Sequence, residues 1–284
     1  MTDNKMRKVI ATTEGFIHEV FATKKDETAE LFYRGHSKDS FTLKPRVFRY
    51  PYYRKNEDRL FREMLVLNPG DFAADVSTLD KLVRMQHHSL PTRLLDITSN
   101  PLMVLYFSCK GHFKNAGEVI ILKLLRKRIR FYDSDTASCL ANLAKLNSRY
   151  KWEIDTSLSK SDFNNSDPIP MLLHFIKEEK PYFLPIIDPK DMNRVICVRT
   201  KFDNTRIASQ TGASLLFGLD AILPEDGTDE IAIERIPISA RAKKRILREL
   251  DALNINESTV FPYIENSAKY LAGKYRNRAS KRPS

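Results

Sequence analysis

The sequence predicts an α+β fold, with mixed or antiparallel sheets and surrounding helices. Three observations carry that prediction. Apolar runs of strand character and apolar stripes at helical spacing interleave along the chain. They do so without the regular strand–helix rhythm of a doubly wound sheet. Two helices also carry explicit start signals, one at Ser77 and one at Asn100-Pro101.

Residues 26–35 end in Leu31-Phe32-Tyr33-Arg34-Gly35, which reads as a short strand closing at a glycine turn. Leu60, Phe61, Met64, Leu65 and Leu67 give 57–67 the spacing of a helix. The helix after Ser77 has Asp80 as its capping-box partner and Leu79, Leu82 and Val83 as its stripe, and Pro91 stops it. At about 100° per residue, Gln86 falls in the middle of that stripe, His87 at its edge and His88 on the far side.

Asn100 as N-cap and Pro101 at the first helical position open a second helix, with Leu102, Leu105, Tyr106 and Cys109 inward. Residues 117–124 read as a strand. The stretch 126–190 is polar and proline-marked, and reads as loops with a helix, for which Met171 to Glu178 is a better candidate than Tyr150 to Glu153. Residues 194–200 and 213–217 are strands again. Ser239 is expected to cap a basic helix with Ile246, Leu250 and Leu253 inward, and a last helix carries Ile264, Ala268, Leu271 and Tyr275.

With 284 residues the chain makes one large domain or two small ones. That length buries about 70–75% of the surface the unfolded chain would expose. The apolar fraction of 42% is too high for a disordered chain. No signal-peptide core and no apolar run of membrane-spanning length is present, so a soluble, cytoplasmic protein is expected. The three cysteines, Cys109, Cys139 and Cys197, are widely spaced and form no CxxC pair. That pattern argues against zinc or a disulfide framework, and Cys109 is expected in the core.

The formal net charge is +11, which fits an anionic partner. Residues 266–284 hold six basic residues and no acidic one. That tail reads either as a solvated end or as a contact for nucleic acid.

The chemistry-bearing residues concentrate between Met85 and Pro101. An amide inside an apolar stripe must find partners or destabilise the fold by about 1–3 kcal/mol. Gln86 is therefore either a structural amide or a site amide reaching into a cleft. His87 is a candidate acid–base group or anion donor. In an extended chain Arg93 and Asp96 fall on opposite faces, so Asp96 is free to orient Arg34 instead. Thr98-Ser99-Asn100 leads into a helix N-terminus, where free N–H groups favour phosphate as well as capping.

At these residues the chain resembles the FRG-domain family, named for a Phe/Tyr-Arg-Gly motif. The aromatic-Arg-Gly signature stands as Phe32-Tyr33-Arg34-Gly35. The long central motif runs from Gln86-His87 through Pro91-Thr92-Arg93-Leu94-Leu95-Asp96 to Thr98 and Asn100-Pro101. Ser89 stands where the family usually has glycine, which asks more of the turn. Arg206-Ile207-Ala208-Ser209-Gln210-Thr211-Gly212 matches a later motif, and Lys244 to Leu250 with Val260-Phe261-Pro262 a C-terminal one. The resemblance spans about 30–275.

It implies an N-terminal extension over 1–25, an FRG-type domain over 26–265 with a variable 126–190 segment, and a basic tail over 266–284. It also implies a toxin or phage-defence role. The motif order is similar to that of ADP-ribosyltransferases, which implies NAD as ligand and no metal. By that similarity Arg34 would bind the NAD phosphates or ribose, Thr98 would support the nicotinamide pocket, and Gln210 would stand where the catalytic Glu belongs. An amide there departs from transferase chemistry.

The expected catalytic set is Arg34, His87, Asp96 and Gln210. The expected ligand contacts are Tyr33, Gly35, Gln86, Thr92, Arg93, Thr98, Asn100 and Arg206. A nucleic-acid enzyme or binder and a non-catalytic sensing module are the other two readings.

Overall fold

Residues 8–23, 27–201 and 212–261 are described in the computed structural model. The strands are β1 (Ala29–His36), β2 (Leu94–Thr98), β3 (Gly117–Leu125), β4 (Arg130–Phe131), β5 (Val195–Arg199), β6 (Gly212–Phe217), β7 (Gly227–Thr228) and β8 (Ile231–Ile238). They form one mixed eight-stranded sheet in the order β4-β5-β6-β2-β1-β3-β8-β7. All neighbours are antiparallel except β4 and β5. The fold is α+β, as the sequence predicts.

The helices before the last long strand are α1 (Thr13–Ala22), α2 (Arg46–Arg49), α3 (Pro51–Lys55), α4 (Glu57–Leu67), α5 (Thr78–His87), α6 (Pro101–Cys109), α7 (Asp135–Asn142), α8 (Ser148–Glu153), α9 (Lys160–Asn165) and α10 (Ile169–Glu179). After it come α11 (Lys243–Ala252) and α12 (Glu257–Val260).

One face of the sheet carries two helical clusters side by side. Helices α4, α5, α7, α9 and α10 close over Leu94, Leu216, Ile196 and Val198. Helices α1, α6, α11 and α12 close over Tyr33, Val119, Ile121 and Ile236. The opposite face buries Phe32, Leu95, Ile97, Ile120 and Leu215 beneath Leu43, Phe48 and Leu223.

Several sequence expectations hold in detail. Ser77 and Asp80 form the capping box of α5, and Asn100 Oδ1 accepts from the N–H groups of Leu102 and Met103. Cys109 is buried as expected, and Cys139 and Cys197 are buried as well. Burial pushes the Cys109 thiol up to about 11 and those of Cys139 and Cys197 to about 12.

Others need correcting. The 126–190 stretch is mostly helical core: Leu140, Leu143, Phe163, Leu172 and Ile176 are all fully buried. Its Ser and Asn residues read as loop, but they cap helices through Ser134, Asn147 and Ser159. Gly35 lies inside β1 and is not a turn. Ser239 makes no capping bond, because a 3₁₀ turn over Ala240–Ala242 precedes α11. Leu253 lies past the end of α11 and is exposed. The last expected helix lies outside the described residues. Strand β8 went unread because its Glu234-Arg235 pair and Pro237 interrupt the apolar run; Pro237 sits near the strand's end.

Arg93 locks the sheet to the helices. It is 1% exposed. Its Nε and Nη2 donate to the two carboxylate oxygens of Glu57 at 2.9 and 2.5 Å. Its Nη1 donates to the carbonyls of Phe217 and Gly218. Lys151 adds a third bond to Glu57 at 2.6 Å. Burial alone would raise the Glu57 carboxyl, but the Arg93 and Lys151 charges outweigh it and hold it at about 2.

The turn after α5 is a Schellman motif. Leu90 N–H donates to Met85 O, Ser89 N–H donates to Gln86 O, and Ser89 sits at φ 65°. A serine there takes the left-handed strain that the family's usual glycine avoids.

Two outcomes are expected. Ser89→Gly stabilises the protein by about 0.5–1 kcal/mol, read as a raised urea midpoint. Glu57→Gln costs about 3–5 kcal/mol at neutral pH because it leaves Arg93 and Lys151 unpaired. Since the Glu57 pKa is depressed in the folded state, its stabilisation is complete above the ordinary value of 4.5 and is lost as pH falls toward 2. Urea titrations across that window should show a steep loss in the parent that Glu57→Gln lacks.

Candidate functional site

Strand alternation divides the motif residues between the two faces of the sheet. Tyr33 lies opposite Thr98. Tyr33, Gly35, Leu94, Asp96 and Thr98 therefore face the helices, while Phe32, Arg34, His36, Leu95 and Ile97 face the other way. Arg34 and the Asp96 carboxylate are separated by the sheet.

On the helix side most of the motif is engaged in the fold. Gln86 Nε2 donates to Leu94 O at 3.1 Å and to Asp96 Oδ1 at 3.2 Å. Its Oε1 accepts from Thr92 Oγ1. The amide thus staples the end of α5 to β2, the structural one of its two readings. Thr92 is 1% exposed and gives its hydroxyl to that staple. Arg93, expected as a ligand contact, has all three nitrogens bonded inside the protein.

Gly35 is needed for close approach. A Cβ there would stand 2.2 Å from Val104 O and 2.9 Å from Ser108 N, so only glycine lets α6 lie on β1. Tyr33 is a core residue of the α6 cluster, and burial raises its hydroxyl pKa.

Thr98 Oγ1 accepts from the Asn100 N–H, and Asn100 caps α6. Asp96 lies between the two helical clusters. His87 is partly buried at the end of α5 and His88 is exposed, the orientations predicted from the helical wheel.

The opposite face holds a different group. Arg34 Nη1 donates to the backbone carbonyl of Asp96 at 2.6 Å, not to its carboxylate. Arg34 Nε donates to His36 Nε2 at 3.3 Å. A ring nitrogen that accepts from a guanidinium carries no proton, so the His36 proton sits on Nδ1. That nitrogen donates to Glu118 Oε1 at 3.0 Å. Glu118 is also held by Arg235 at 2.6 Å.

Burial is the main cause lowering the His36 pKa, and the adjacent Arg34 adds to it, which keeps the ring neutral. Burial likewise pushes the Arg34 guanidinium down to about 10, with Asp96 raising it and Arg49 lowering it. Among the described residues no carboxylate forms an ion pair with Arg34.

His36 and Glu118 are the residues the sequence reading missed as a unit. His36 links Glu118 to Arg34. The available signal was position: His36 is two residues from Arg34 on one strand, hence on the same face. Arg206 and Gln210 lie outside the described residues.

Among the described residues no group of three or more His, Cys, Asp or Glu could hold a metal ion. No helix among them is long and apolar enough to cross a membrane.

Comparison with known proteins agrees with the motif. No curated protein and no solved structure matches the chain. The model of the FRG domain matches residues 29–117, a span that begins with β1 and closes where β3 starts. It contains the aromatic-Arg-Gly signature and the whole central motif, while the later Arg206 to Gly212 and C-terminal patterns lie beyond it. Residues 29–117 of the chain carry an FRG domain.

Proposed function

We propose that the Arg34 face binds a phosphate-bearing, nucleotide-type ligand, with NAD first among the candidates. One observation carries this. Two arginines of the motifs are treated oppositely: Arg93 is neutralised by Glu57, whereas among the described residues Arg34 bonds to a histidine nitrogen and a carbonyl. A partly buried cation without a carboxylate is costly, and an anionic ligand supplies the missing charge. The nearby Arg49 charge, which lowers the Arg34 pKa, adds to the demand for an anion.

The motif order further supports NAD cleavage or ADP-ribosyl transfer as the reaction. In cleavage the bond from ribose C1′ to the nicotinamide nitrogen breaks, and its electron pair leaves with nicotinamide. Water oxygen then bonds to C1′ and loses a proton to a base. A carboxylate must steady the ribosyl cation, and Glu118, tied to Arg34 through His36, takes that part here. A chain that consumed NAD in this way would serve as a toxin or phage-defence effector.

The test is a thermal-shift series with NAD, ADP-ribose, AMP and inorganic phosphate. A ligand at a hundred times its Kd should raise Tm by about 5–10 °C. Arg34→Ala should abolish that shift while keeping the parent's circular dichroism. Glu118→Gln should keep the shift but lose nicotinamide release measured by mass. A shift without any release in the parent would leave a sensing module, and an Arg34→Ala protein that responds like the parent would sink the proposal.

A further inference from the structure

The segment from Ser40 to Asn56 contains five cations, five aromatic residues and no carboxylate. It forms α2, α3 and the turns around them. Its apolar side chains Leu43, Val47 and Phe48 turn in toward the protein, the first two fully buried. Tyr50 and Tyr52 do not: they are 48% and 57% exposed. Their rings are stacked, with centroids 5.3 Å apart and planes 19° from parallel. Tyr53 closes edge-on against both. An exposed stack held by its own neighbours presents a rigid aromatic face to solvent.

Cations flank that face. Arg46 and Arg49 are both exposed. Arg49 stands directly before Tyr50 in the chain, and Arg46 lies one helical turn before it. Among the described residues each guanidinium bonds to a carbonyl, Arg46 to Ser89 O and Arg49 to Lys44 O, and neither meets a carboxylate. Of the segment's cations, Arg54 pairs with Asp220.

We propose that this face docks single-stranded nucleic acid. Bases stack on Tyr50 and Tyr52, and phosphates lie against Arg46 and Arg49. Ring faces open to solvent take bases that are not already stacked in a duplex, which selects a single strand. The surface encloses nothing, so it offers a free nucleotide little burial, whereas a strand gathers several weak contacts. The proposal uses residues other than Arg34 and Glu118 and survives the failure of the NAD reading.

The test uses the full chain titrated into a fluorescein-labelled twelve-nucleotide thymidine strand and a duplex of equal length, followed by anisotropy over a salt series. The strand is expected to bind more tightly than the duplex. The slope of log K against log salt should be about −1.4 or steeper, from two phosphates at about −0.7 each. Tyr50→Ala and Tyr52→Ala should each weaken strand binding about tenfold or more and leave the slope unchanged. Arg49→Gln should remove about 0.7 of the slope. Tyr52→Trp, which keeps a ring, should bind at least as well as the parent. Circular dichroism confirms that each variant folds. Absence of strand binding at low salt, equal affinity of the tyrosine variants, or equal duplex binding would each overturn the proposal. So would a loss seen only on removing 266–284, or displacement of the strand by a free mononucleotide.

Discussion

The buried guanidinium of Arg93 holds the architecture together. It sits just ahead of β2 and reaches Glu57 on α4 and the carbonyls ending β6, while Lys151 on α8 shares the same carboxylate. Four stretches far apart in sequence thus meet around one charge cluster. Such a cluster is costly to bury and more costly to break, because each member's charge is compensated only while all are present. It therefore acts as a latch with little tolerance for partial assembly. The helical cluster containing α7, α9 and α10 closes beside it and shields β2 and β6.

With that latch in place, the rest of the central motif falls into order. Gln86 and Thr92 bind the end of α5 to β2, Asn100 starts α6, and Gly35 lets α6 rest directly on β1. These residue types resemble a ligand site because polar side chains in an apolar setting usually signal one. Here most of them satisfy one another. The other face carries a polar row that runs from Arg34 through His36 to Glu118 and Arg235, and the proposed ligand would meet the chain there.

The helix starts at Ser77 and Asn100, the burial of Cys109 and the α+β class were legible because they rest on local rules: a cap, a proline, a period of 3.6. The orientations of Gln86 and His88 followed from the same period. The 126–190 stretch was misread because serine and asparagine serve loops and helix caps alike, and only tertiary contact separates the two uses. Glu118 could not be joined to Arg34 from sequence, since they meet through β1–β3 pairing across more than eighty residues of chain. Arg93 was read as ligand-facing because its partner Glu57 lies thirty-six residues away in a helix whose visible signal was apolar.

A sheet is one backbone thick, and that thinness has a consequence for how this domain can change. Tyr33 and Gly35 answer to α6, while Arg34 and His36 answer to whatever occupies the other side. Neighbouring letters of the same short motif are therefore under separate jurisdictions. Substitutions at Tyr33 and Gly35 should be felt as lost stability, and those at Arg34 and His36 at the proposed ligand face. A lineage could remodel the polar row without disturbing the helical layer, and the domain could acquire new ligands on an unchanged frame.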